Sequence, residues 1–479
     1  MGMLDRIAHI VVLMLENRSF DNILGKLYPK SAGFDGLSGT ETNFDRDRLP
    51  HQVWNAPPLT DRVTMTIPDP DPGELWTDIN FQLSGRPDVP VPPDPDMSGF
   101  VINYLDQAAK TGLGYPPESI MHYFVPEQVP VISQLARQFA VSDRWFASAP
   151  CQTWPNRFFV HSGTADGHEN NTPIHFPDVE TIFNRLDAFN TPGGWKVYFH
   201  DIGQAKTLRR LWPRFSQFRR YAEFQHDAKM GTLPAYSFIE PRYFSDSDLP
   251  NDEHPPHVVT LGEQLIADVY NSLRNGPHWT STLLVITYDE HGGCYDHVSP
   301  PAAQPPGPGP TAPFNFDRYG VRVPAVIVSP YVPQGTVLRP SGAVPFDHTS
   351  IIATLRARFA LGAPLTDRDG SAPTLDLALT LANPDNLGPD HIEPLPFVAS
   401  PADVAHAQAK PLNDMQRSLL TFAGYLPTAP VQGDIAAYLE DHLDDLSDQA
   451  SALANAADQT VGSAISFIKQ RLGNLFRSA

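Results

Sequence analysis

Two apolar runs in this chain end in pairs of oxygen donors. Residues 7–15 read IAHIVVLML and are followed directly by Glu16 and Asn17. Residues 282–288 read TLLVITY and are followed by Asp289 and Glu290. Any one of these four residues can cap a helix or face water. Taken as two pairs at equivalent strand ends, they are three carboxylates and an amide that repel one another unless a cation sits among them. That pattern points to a metal site. A third segment, QTWPNRFF, places Thr153 two residues before Pro155. Pro155 suits the first turn of a helix, where its missing N–H costs nothing. Thr153 then stands just ahead of that helix, either as its cap or as a hydroxyl facing the positive dipole end, beside N–H groups able to hold a phosphate. A metal on that oxygen would bring the alkoxide within reach near neutral pH.

The histidines are unevenly placed. His254 and His257 lie in NDEHPPH, His291 and His297 flank HGGCYD, and His348 precedes a helix-like run. A single histidine is usually structural or exposed, and HxxH is a weak metal signature. Histidines facing a phosphoryl group would donate hydrogen bonds and protonate a departing alkoxide. No G-x-S-x-G elbow and no P-loop occurs in the sequence.

The elements that must position these groups follow from pattern. Strands are expected at 7–15, 195–201 and 282–288, with a further one in VRVPAVIVSPYV. Helices are expected at 98–110, 130–139, 181–189 and 261–274, and one begins within 346–361, capped by Thr349 or Ser350. Buried strands alternating with helices predict an α/β fold with a mostly parallel sheet covered on both faces. Ligands bind at the carboxyl ends of strands in such sheets, where both acid pairs fall.

The chain has 479 residues, enough for a large core without staples. Its 34 basic and 54 acidic residues give a net charge of -20, which argues against nucleic acid as a partner. Proline is abundant at 50 residues, and much of it lies in an excursion over 45–98. Cys151 and Cys294 make at most one disulfide. No run reaches 18 apolar residues, so no transmembrane helix is expected. As it stands the sequence carries no secretion signal and reads as cytoplasmic, or as extracellular or periplasmic if it is a processed form.

The segments MLENRSFDNILG, TWPNRFFVHSGT, NDEHPPH, TYDEHGGCYDHVSPP and FDHTSIIATL together resemble the phosphoesterase family of bacterial and plant non-specific phospholipases C and AcpA-type acid phosphatases. The resemblance runs from residue 7 to about 370. It implies an alkaline-phosphatase-like α/β/α sandwich and one divalent metal ion on Glu16, Asn17, Thr153, Asp289 and Glu290. It implies Thr153 as nucleophile, with His254, His257 and His348 lining the phosphoryl pocket. Five oxygen donors favour Ca²⁺, with Mg²⁺, Mn²⁺, Zn²⁺ or iron as alternatives. Two positions depart from the family pattern. Glu74 in DPGELW stands at or near the place of a family histidine that reaches the active site, and Val258 follows HPPH where aspartate is common. Glu74 and His291 are therefore the candidate substrate contacts.

The expected organisation is a catalytic domain over 1–395 and a mainly helical extension over 396–479. In the extension Ile435, Leu439, Leu443, Leu446, Leu453, Ile465, Ile468 and Leu472 recur at helical spacing. Asp441, Asp444, Asp445 and Asp448 fill the other positions, and basic character returns only at Lys469, Arg471 and Arg477. Such a face docks on the core or pairs with another subunit. The activity expected is metal-dependent hydrolysis of a small phosphoester or phospholipid, with diesters favoured over monoesters. The alternatives are a phosphatase, a phosphoryl or phosphocholine transferase, and a binding protein that keeps the site without turnover.

Overall fold

The computed structural model describes residues 2–57, 63–86, 94–112, 114–172, 175–307, 314–429, 434–443, 453 and 459–476. An eight-stranded sheet forms its centre. In chain order its strands are β1 (His9–Leu15), β2 (Ala140–Val141), β3 (Trp195–Phe199), β4 (Phe218–Arg220), β5 (Tyr236–Glu240), β6 (Thr282–Tyr288), β7 (Ala325–Val328) and β8 (Thr336–Val337). Across the sheet they lie in the order β8-β2-β7-β6-β1-β5-β3-β4. Only β7 runs against its neighbours; every other pairing is parallel.

The apolar content of β1 and β6 explains their place. HIVVLML and TLLVITY are buried along almost their whole length, as strands covered on both faces must be. Helices α1 (Pro130–Gln138) and α3 (Val259–Arg274) pack together on one side, while α2 (Thr153–Ser162) and α4 (Thr349–Phe359) pack together on the other. The architecture is thus α/β with three layers. Glu263 of α3 accepts the N–H groups of Val131 and Ile132 at 2.6 and 2.9 Å. It caps α1, which Val129 has no side chain to do. Burial pushes that carboxyl up to about 8.

The structure corrects three local expectations. The first strand begins at His9, because Met3–Arg6 form a 3-10 turn that ends at Ile7. Neither Thr349 nor Ser350 caps α4; the cap position is His348. Both hydroxyls serve Asp347 instead, Thr349 donating to its carboxylate at 2.6 Å and Ser350 accepting its N–H at 3.3 Å. The proline-rich excursion carries a helix of its own, Trp76–Ser84.

The C-terminal residues build helices Pro401–Gln408, α5 (Asp414–Tyr425), Ile435–Asp441 and α6 (Val461–Phe476). Leu419, Leu420, Phe422, Ile465, Ile468 and Leu472 join the same hydrophobic cluster as the sheet. Leu446, Asp444, Asp445, Asp448 and Arg477 lie outside the described residues. No helix among the described residues is long and apolar enough to cross a membrane. Cys151 and Cys294 are both free and buried.

Candidate active site

β1 and β6 are direct neighbours, and their register pairs Leu15 with Tyr288. Glu16 and Asp289 therefore leave the sheet side by side. The Asp289 N–H donates to the Leu15 carbonyl at 3.3 Å, and the Asn17 N–H donates to Asp289 Oδ1 at 3.0 Å. Asn17 adopts φ 58°, a left-handed conformation that asparagine tolerates better than most residues. The turn that follows β6 has two glycines in the same region, with φ 61° at Gly292 and 64° at Gly293. A Cβ on Gly292 would lie 2.0 Å from the Asn17 carbonyl oxygen, so only glycine lets the two loops meet.

Thr153 is the first residue of α2, not its cap. Asn156 ties down the approach to it, donating to the carbonyls of Ala149, Cys151 and Gln152 and accepting the Ala149 N–H at 3.0 Å. The Trp154 N–H is taken by Asn171 Oδ1 at 2.8 Å. The Thr153 hydroxyl is thereby freed from helix capping. Its Oγ1 lies 3.1 Å from Glu16 Oε2 and 3.2 Å from Asn17 Oδ1, with all three residues fully buried.

One group in this cluster carried no sequence expectation. Arg157 reaches Glu16 Oε1 at 2.6 Å and Asp289 Oδ2 at 3.3 Å, fully buried itself. It supplies part of the positive charge that two adjacent carboxylates require. Burial still raises Glu16 well above the usual carboxylate range, with Asp289 adding to the effect and Arg157 opposing it. Burial also raises Asp289, against the pull of Arg157. Glu290 is raised well above its ordinary value by burial and then by the charges of Glu74 and Asp289.

The histidines divide by environment. His257 offers Nδ1 to Asp252 Oδ1 at 2.7 Å, and its side chain is 20% exposed, so Nε2 is the reachable nitrogen. His254 is buried. Its Nδ1 donates to the Pro255 carbonyl at 2.7 Å, and Asp71 Oδ1 and Glu74 Oε1 lie 3.7 and 3.6 Å from the ring nitrogens. Burial alone would lower His254, but the charges of Asp71 and Glu74 outweigh it and hold the imidazole well above its usual range. His348 is fixed on both sides: Nε2 donates to the Asp289 carbonyl at 2.6 Å, and Nδ1 lies 3.4 Å from the Trp145 indole N–H. Burial pushes it down to about 4, so it supports the Asp289 turn as a neutral ring. His291 belongs to the same turn, its Nε2 2.8 Å from Gln82 Oε1. Gln82 uses its own N–H groups on Gly73 and Asn103, so its oxygen must accept, and the His291 proton is on Nε2. Nδ1 then presents a lone pair to Glu290 Oε2 at 3.3 Å. His297, by contrast, belongs to a separate, half-buried network of Asp21, Asp35, Asp296 and Arg322.

This donor set fits a hard cation. Three oxygens of Glu16, Asn17 and Thr153 converge with a single hydroxyl proton among them. Glu290 Oε1 is buried without a hydrogen-bond partner. Every one of these donors is oxygen, the chemistry of calcium, magnesium or manganese rather than of a thiolate-bound ion. Asp71, Glu74 and His254 form an adjoining group whose ligand atoms lie within 4.8 Å of one another. Acidic and histidine groups able to bind a metal are therefore present at this edge of the sheet.

The model of the Phosphoesterase family matches residues 7–362, a span that contains every strand and side chain just described except those of the C-terminal helices. The chain belongs to this family. Among its relatives is non-specific phospholipase C1 of Arabidopsis thaliana, 41% identical over 389 residues, which cover 77% of this chain and 70% of the relative. Non-specific phospholipase C3 of the same plant is 37% identical over 443 residues, or 88% and 82%. Phospholipase C A of Mycobacterium tuberculosis is 28% identical over 447 residues, or 80% and 79%. A solved structure of an alkaline phosphatase superfamily protein from Vibrio parahaemolyticus overlaps 51% of this chain and 64% of its own, with 12% identity and a TM-score of 0.32. As a member of the Phosphoesterase family, the protein is a phosphoric ester hydrolase.

Proposed function

We propose that this phosphoesterase cleaves phosphodiesters as a phospholipase C does, through a phosphorylated Thr153. The observation that carries the reading is the placement of the Thr153 hydroxyl at the start of α2, between Glu16 Oε2 and Asn17 Oδ1. Thr153 Oγ1 attacks phosphorus, and its proton passes to the Glu16 carboxylate, toward which the hydroxyl already points. The bond from phosphorus to the leaving alcohol breaks, and the alkoxide takes a proton from His257, whose ring Asp252 orients. His254, kept cationic by Asp71 and Glu74, contributes fixed positive charge. Water then attacks the phospho-threonine and gives a proton to His257; the bond from phosphorus to Oγ1 breaks, the phosphorylated head group leaves, and Thr153 takes its proton back from the carboxylate. Glu16, Asn17, Thr153, Asp289 and Glu290 would hold one divalent cation, Ca²⁺ being favoured. When bound, such an ion neutralises charge on the attacking oxygen and the phosphoryl group.

The test is Thr153→Ala. Turnover of p-nitrophenylphosphorylcholine should fall by at least about a thousandfold, the scale of a lost nucleophile, with an unchanged melting temperature. An acid quench of the native protein should trap a phosphorylated Thr153, visible by mass spectrometry. Retained turnover in the alanine variant removes the mechanism. Cleavage of p-nitrophenyl phosphate alone makes the protein a phosphomonoesterase on the same site, and transfer to an added alcohol makes it a transferase.

A further inference from the structure

Glu74 has its side chain 7% exposed and its Oε1 2.7 Å from Asn17 Nδ2. A carboxylate in an ion pair accepts hydrogen bonds and does not donate them. Asn17 must therefore turn its NH₂ toward Glu74, and the opposite side of the planar amide, Oδ1, faces Thr153 at 3.2 Å. Were the amide to turn over, two N–H groups would point at Thr153 and Glu16, where the oxygen donors converge. The Asn17 main chain does not prevent that turn, because Asp289 holds only its N–H. Glu74 itself is held firmly. The Gly73 carbonyl accepts Gln82 Nε2 at 2.7 Å, and a Cβ on Gly293 would meet that carbonyl at 2.8 Å, so the turn carrying Glu74 rests directly on the turn after β6.

We propose that Glu74 is a positioning residue that fixes the Asn17 amide with its oxygen toward Thr153 and its N–H groups away from the cation site. This rests on the reading of Asn17 as a cation ligand. Residues that orient a ligand commonly change metal affinity by about 10- to 100-fold when lost.

The experiment measures Mn²⁺ and Ca²⁺ affinity by titration calorimetry on the full chain, comparing Glu74→Gln with Glu74→Leu. Both variants lose the charge, and only glutamine keeps an oxygen to accept from Asn17. The leucine variant should bind at least about tenfold more weakly than the glutamine variant. In an Asn17→Ala background that gap should close to within about twofold, since the coupling runs through Asn17. Equal affinities in the two variants overturn the proposal, as does a gap that survives in the Asn17→Ala background. Melting without cation checks that each variant folds, and Glu74→Met replaces the leucine variant if it does not. A wild-type chain that binds neither ion overturns the cation reading and this inference together, whereas wild-type binding with equal variants overturns this inference alone.

Discussion

At the residue scale the site is a problem of charge. Glu16 and Asp289 emerge next to each other because their strands pair, and Arg157 is the cation that touches both. Removing one member of a buried ion group leaves its partners uncompensated, at a cost of about 3–5 kcal/mol. Arg157→Met should lower stability by that amount in urea unfolding with chelator present, and saturating Ca²⁺ should recover part of the loss. A variant as stable as the wild type would mean that these carboxylates carry no net charge in the fold. The raised carboxyls also set a pH dependence. In the cation-free protein their charged forms are disfavoured, so their contribution to stability is lost as pH rises from the unfolded value of about 4 through the raised folded values. A cation must displace those protons, so its affinity should climb with pH and its binding should release protons. Calorimetry at pH 5 and pH 8 in buffers of different ionisation enthalpy measures both, and an affinity independent of pH contradicts the assignment. Glu16, Asn17, Asp289 and Glu290 stand out in the sequence because they end apolar runs. Arg157 gives a quieter signal: it sits four residues after Thr153, on the same face of α2. Asp252 and Gln82 give none, since only the fold reveals that they orient His257 and His291.

At the element scale, β1 and β6 are readable because a doubly covered strand is apolar throughout. β5 is not: YSFIE mixes polar and apolar residues, yet all five are buried beside β1 and β3. The two-residue strand β2 is too short to show any period. The reversal of β7 likewise depends on pairing with β6 and β2 rather than on its own apolar sequence. The loops joining these strands are specified by glycine. Gly292→Ala places a methyl 2.0 Å from the Asn17 carbonyl and forces a left-handed alanine. The two donor pairs should then separate, with turnover falling at least about a hundredfold, the order seen when reacting groups shift by 1 Å. Far-ultraviolet circular dichroism should stay unchanged, because both strands are complete before the turn begins. Wild-type turnover in this variant would show that the contact between the two loops does not position the site.

At the scale of the whole molecule, the family match ends at residue 362, but the core does not. Helix α5 lies against the start of α2: Met415 Sδ accepts the Trp154 indole N–H at 3.2 Å, one residue from Thr153. Gln416 donates to the Tyr243 carbonyl at 2.8 Å, and the Tyr243 ring lies 5.7 Å from the Arg157 guanidinium. Phe422 and Tyr425 pack edge-on to Phe176. Leu419, Leu420, Phe422, Leu426, Ile465, Ile468 and Leu472 are all buried, and each is worth about 1.5–3 kcal/mol when fully withdrawn from water. Their sum, even after discount for residual structure in the unfolded chain, is of the same order as the net stability of about 5–15 kcal/mol that ordinary domains possess. The C-terminal helices thus pack onto the core of the sheet, and Leu439, Ile465, Ile468 and Leu472 of the apolar face that reads from sequence as a docking or pairing surface are buried within the chain. A protein ending at residue 395 should fail to give a cooperative thermal transition and should expose Trp154, shifting its fluorescence to the red. Supplying residues 396–479 as a separate chain should restore the transition if the interface forms between independent segments, and should not if α5 must fold on the sheet as the core closes. A truncated protein that melts and turns over like the full chain would show that the catalytic unit is complete without these helices.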